Sequence, residues 1–115
     1  MRLFALAAMV AALVVPGALA SSTATTLNGT DGPGFTITLK KSGVKVTKLK
    51  HGTYVIKVAD KSSIHNFHLK GPGVNKSTAV GFVGTKTWTV TLKAGKYTYV
   101  CDPHKTLMKG SFTVT

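Results

Sequence analysis

The stretch Cys101-Asp102-Pro103-His104-Lys105-Thr106-Leu107-Met108 brings together the only cysteine of the chain, a histidine three residues later and a methionine four residues after that. Thiolate, imidazole and thioether are the soft and borderline donors that select copper over hard cations. A copper site built from them lacks one imidazole, and Ile64-His65-Asn66-Phe67-His68 offers it from elsewhere in the chain. In an extended strand residues 65 and 68 point to opposite faces, so one metal takes one of these two histidines and leaves the other outside.

The residues around these donors alternate with the period of a strand. Before Cys101, Thr98 and Val100 fall on one side and Tyr97 and Tyr99 on the other; after Met108, Gly110 to Thr115 alternates again. This reads as strand, tight loop, strand, with Cys101, His104 and Met108 on the loop or at its edges. Further strand patterns run over 35–40, 44–47, 54–59, 64–69 and 87–92. No stretch beyond the first twenty residues sustains a stripe of period 3.6, apart from at most one turn within 74–83. About seven short strands with turn residues between them predict an all-β fold, an antiparallel Greek-key sandwich. Leu49-Lys50-His51-Gly52-Thr53-Tyr54 and Leu92-Lys93-Ala94-Gly95-Lys96-Tyr97 share the pattern L-K-x-G-x-Y. Its glycine suits a turn between sheets, and its tyrosine suits the corner at which a hydroxyl bonds back to the turn.

Over 35–115 the chain resembles the cupredoxins, the small blue-copper proteins of the plastocyanin, amicyanin and pseudoazurin kind. The residues that carry the resemblance are His65-Asn66, Tyr97-Thr98-Tyr99-Val100-Cys101-Asp102-Pro103-His104 and Met108. Three residues separate His104 from Met108, where plastocyanin-type loops have four and amicyanin-type loops two. The resemblance implies one copper ion held by His65, Cys101 and His104, with Asn66 close to the cysteine sulfur and tying the two loops together. Met108 reads either as the long axial ligand of such a site or as a core methionine closing the base of the loop. Pro103 stiffens the loop and offers no N–H to the sulfur, which favours Cu(II). His68 reads as an ordinary, partly exposed histidine and His51 as a solvated turn residue. Leu107, Pro103, Pro72 and Val83 are candidates for an apolar collar beside His104.

Residues 1–20 read as an export signal: Met1-Arg2, an apolar run from Leu3 to Val15, then Ala18-Leu19-Ala20 before Ser21. The apolar run is short for a membrane anchor. Export places Cys101 in an oxidising compartment without an internal disulfide partner. Residues 21–34, rich in Ser, Thr and Gly, read as a flexible leader, and 35–115 as the folded domain, expected to be monomeric with no membrane-spanning segment.

The whole chain carries a net charge of +12; without Arg2, fourteen lysines stand against three aspartates, a net +11. That surplus favours redox partners with an acidic docking surface. Nucleic acid is discounted, since arginine and a basic-aromatic stripe are lacking. With three acidic residues and no second metal cluster, the sequence does not read as an enzyme. Three readings remain: an exported electron carrier, a copper chaperone or storage protein using the same ligands, and a metal-free sandwich. The last leaves the His-Asn and C-x-P-H spacings without a purpose.

Overall fold

The computed structural model describes residues 23–115; the expected signal at 1–20 lies outside them. Alternating side chains build ten strands among the described residues: β1 (Thr25–Asp31), β2 (Ile37–Lys41), β3 (Val44–Lys45), β4 (Lys48–Leu49), β5 (Gly52–Asp60), β6 (His68–Gly71), β7 (Val74–Ser77), β8 (Gly84–Leu92), β9 (Gly95–Val100) and β10 (Lys109–Val114). They form two five-stranded sheets, in the orders β3-β2-β1-β5-β8 and β4-β10-β9-β6-β7. The expected sandwich is present, and the strands beyond seven are β1, β4 and β7.

Two pairings are parallel, which the all-antiparallel expectation missed: β1 with β5, and β4 with β10. After β2 and β3 the chain crosses to the second sheet as β4, then returns as β5 in the same direction as β1. Between the sheets lie Leu27, Leu39, Ile56, Val58 and Leu92 from one side and Phe67, Leu69, Tyr97, Tyr99, Phe112 and Val114 from the other, all buried. Phe67 stacks on Tyr99 and Tyr97 on Phe112, with ring centroids 5.6 and 5.3 Å apart; such pairs contribute about 0.5–1.5 kcal/mol beyond their buried area.

The leader expected over 21–34 is corrected by β1, which sits between β2 and β5. Its inward residues are Leu27, Gly29 and Asp31, so only one carries a large apolar side chain and the alternation is invisible to hydropathy. Gly29 serves close approach: a Cβ there would meet the Phe67 ring at 3.0 Å. The strand expected over 64–69 is shorter than its sequence pattern, because β6 begins only at His68 and residues 64–67 form a loop that leads into it.

Both L-K-x-G-x-Y repeats form the corners they predict. Tyr54 donates its hydroxyl to the Lys50 carbonyl at 2.7 Å. The Tyr97 hydroxyl accepts from the Lys93 N–H at 2.9 Å and donates to the Pro72 carbonyl at 2.8 Å. Gly52 and Gly95 take φ of 150° and 141° at these corners, a region that favours glycine. The second corner also locates Pro72 at the start of β9, the opposite end from Cys101, so Pro72 is no part of a collar around His104.

Candidate metal centre

Strands β9 and β10 pair from Gly95–Val114 up to Val100–Lys109, and the seven-residue excursion from 102 to 108 closes over their end. The Cys101 N–H donates to the Met108 carbonyl at 3.0 Å and the Met108 N–H to the His104 carbonyl at 2.8 Å. Asp102–His104 makes one 3-10 turn, with Pro103 at a position that needs no N–H. His65 comes from the loop before β6, and β6 pairs with β9, so the two loops meet at one end of the sandwich.

There His65 Nδ1, His104 Nδ1 and Cys101 Sγ converge. The nitrogens are 3.1 Å apart, and the sulfur lies 3.7 Å from His65 and 3.4 Å from His104. A first-row metal at the centre of such a triangle, with bonds of about 2.0–2.3 Å, spreads its donors roughly 3.5–3.8 Å apart. The three donors are therefore a few tenths of an ångström from that span, and a slight opening of the triangle suffices. His65 and Cys101 are buried and His104 is partly exposed. The His65 Nε2 is buried without a partner among the described residues, leaving Nδ1 as the nitrogen turned to the other donors. Met108 is fully buried at the foot of the loop. His68 is not among the converging groups, and His51 lies exposed beside Thr115, to whose carbonyl its Nδ1 is 3.0 Å.

Burial pushes the Cys101 thiol up, and the nearby Asp31 and Asp102 carboxylates push the same way; N–H groups of Asn66 and His104 pull it back only in part. The Asn66 main-chain N–H donates to Cys101 Sγ at 3.4 Å. Its side chain accepts from the Asp102 N–H at 2.7 Å and donates to the Asp102 carboxylate at 2.8 Å and to the Thr78 carbonyl at 3.2 Å. Asn66 thus ties the two ligand-bearing loops together, as the resemblance implied.

Sequence reasoning missed three features. Phe35, expected in a strand, precedes β2 and sets its ring edge-on to both imidazoles, with centroids 5.3 Å from His65 and 5.0 Å from His104. It remains 55% exposed, as does Leu107 at 68% on the same loop as His104, so Phe35 is the ring that covers the histidine pair. Asp31 and Asp60 form a second feature, side by side in register on β1 and β5 and both buried. Burial first, then the hydrogen bond and charge of Asp60, push the Asp31 carboxyl up to about 8. The third is the set of bonds around His68 and Asp102. One signal was available for the last two: in a lysine-rich chain the only acids are Asp31, Asp60 and Asp102, and all three gather near this site.

A family model described as copper binding proteins of the plastocyanin/azurin family matches residues 19–115. The chain belongs to that family. The fold of this cupredoxin is also that of solved relatives: reduced rusticyanin matches with a TM-score of 0.59 and 23% identity over 81% of each chain. Auracyanin A, a "blue" copper protein from the green thermophilic photosynthetic bacterium Chloroflexus aurantiacus, matches with a TM-score of 0.50 and 18% identity, over 81% of this chain and 100% of its own. No curated protein sequence matches it. The buried His65–Cys101–His104 cluster of this cupredoxin fits one type 1 copper ion.

Proposed function

We propose that this cupredoxin is an exported one-electron carrier whose copper would be held by His65 Nδ1, Cys101 Sγ and His104 Nδ1, with the Met108 thioether as a further donor. The observation that carries the reading is the triangle of two imidazoles and one thiol, with sides of 3.1–3.7 Å, at the end of a rigid sandwich. Copper bound there would supply a Cu(I)/Cu(II) couple, which two imidazoles, a thiolate and a thioether suit in both states.

The protein's share is to hold the donors still. The strand pair beneath the 102–108 excursion, the Asn66 bonds across the loops and the burial of His65 and Cys101 leave little to rearrange when an electron moves. Phe35 packs edge-on against both imidazoles and covers part of each. His104, the partly exposed member, is the donor through which a partner reaches the centre. Metal uptake displaces the thiol proton that burial retains on Cys101, so affinity falls as pH falls. The family is described as copper-binding proteins, and the carrier reading extends that description to one-electron transfer.

Export rests on the features of residues 1–20, and the lysine surplus supports a redox partner with an acidic docking surface. Among the described residues no helix is long and apolar enough to cross a membrane. Repeated reduction and reoxidation of the copper-loaded domain, with metal content measured after each cycle, tests the assignment. A carrier regains its full colour without added copper. Loss of copper at each reduction would replace this reading with copper delivery to another protein.

A further inference from the structure

His68 is partly exposed, as expected, but it is not merely solvated. It opens β6 opposite Val100, the last residue of β9, so the next loop residues pass over its ring. Its Nδ1 lies 3.0 and 3.1 Å from the two Asp102 oxygens and its Nε2 2.6 Å from Asn75 Oδ1 on β7. Asn75 is the diagonal neighbour of His68, since Ser77 stands directly opposite it and Asn75 opposite Lys70. The ring is thereby fixed at both nitrogens, with its side chain only 23% exposed. Burial alone would push the Asp102 carboxyl up, but the bonds from His68 and Asn66 outweigh it and hold the group below the ordinary carboxylate range.

A partly exposed ion pair of this kind adds little to stability. What it fixes is direction. Asp102 receives His68 on one side and the Asn66 amide on the other, and Asn66 is the residue whose N–H meets the sulfur.

We propose that His68 and Asp102 are positioning residues for Cys101: the ring of His68, itself anchored on Asn75, holds the Asp102 carboxylate, which holds Asn66 so that its main-chain N–H stays aimed at Sγ. The inference rests on the reading of the site as a copper centre. A donor kept on the thiolate draws electron density from the sulfur and raises the reduction potential, while a donor that drifts away lets the potential fall.

His68→Ala and Asp102→Ala therefore both lower the potential of the copper-loaded domain, and the double variant shifts it no further than the larger single one, because both act through Asn66. A pure charge effect cannot give this pattern, since removing the Asp102 carboxylate removes a negative charge that favours Cu(II). His68→Gln, which keeps a donor facing Asp102, recovers most of the loss, and His51→Ala, at the other end of the sandwich, leaves the potential unchanged. In the copper-free protein the Asn66 amide exchanges its proton about fivefold faster in His68→Ala, the worth of roughly one ordinary hydrogen bond.

Voltammetry of the loaded proteins and NMR-detected exchange of the unloaded ones decide the matter. Potentials that fall together, with faster Asn66 exchange, support the clamp; potentials that move in opposite directions or not at all, or unchanged exchange, overturn it. If Asp102→Ala does not fold, His68→Ala and His68→Gln decide alone: a fall that glutamine restores supports the clamp, and one it leaves in place overturns it. A parent protein that takes up no copper fails at the earlier step and overturns the site reading, and with it the positioning role of His68.

Discussion

In Cys101→Ser the intense visible band of the copper-loaded domain is expected to disappear entirely, with copper affinity falling by roughly a hundredfold or more. Residues that only orient ligands already account for about ten- to a hundredfold, and Cys101 is the donor itself. The band arises from charge transfer between a thiolate and the metal, and serine supplies no thiolate. The hydroxyl is also a harder donor and loses its proton reluctantly, so two imidazoles remain as an ordinary histidine pair. The fold should survive, because Cys101 lies at the end of β9 outside the packed cluster between the sheets. Copper titration monitored by absorbance, beside a thermal unfolding curve, checks both halves. A variant that binds copper and colours like its parent would remove Cys101 from the site.

The second large effect is on stability, through the buried acids beneath the site. Asp60 accepts from the Ser62 N–H at 3.2 Å and from the Thr78 hydroxyl at 3.1 Å. Among the described residues the Asp31 oxygens have no such donors, and burial together with the neighbouring Asp60 carboxyl keeps the proton on Asp31. With its carboxyl raised from 3.8 to about 8, the folded state holds that proton over a pH range in which the unfolded chain has released it. Stability conferred by this group is therefore undiminished below about pH 4, declines as pH rises from there to about 8, and is level above. The slope inside the window approaches about 1.4 kcal/mol per pH unit for one proton. Asp31→Asn retains a donor toward Asp60 and has nothing to titrate, so it flattens the decline and is the more stable protein at pH 8. Denaturant unfolding of parent and variant from pH 4.5 to 9 measures the difference. Parallel curves would mean that folded Asp31 holds no proton over this range.

The converging donors His65, Cys101 and His104 were legible because their chemistry is local. C-x-P-H names a loop, and His65-Asn66 names the neighbour that must meet it. The corner tyrosines were equally legible, since L-K-x-G-x-Y specifies a turn within six residues. What escaped depends on partners far along the chain. The inward face of β1 offers only Leu27 to hydropathy, and its value lies in Gly29, which admits Phe67, and in Asp31, which pairs with Asp60 across a parallel register. The parity argument kept His68 apart from the converging donors, where the structure also leaves it, but on a wrong premise: residues 64–67 are a loop, and His68 is turned to Asp102 by the pairing of β6 with β9. Phe35 alternates with Ile37 and Leu39 in sequence, yet it lies before β2 begins, where its ring is free to reach both imidazoles.

X-ray absorption at the copper edge of the loaded domain, in both oxidation states, tests the proposed copper site most directly. One copper per chain with two nitrogen neighbours and one short sulfur neighbour, changed little by reduction, is the expected result. A copper surrounded only by nitrogen and oxygen, or one whose neighbours change on reduction, would contradict it.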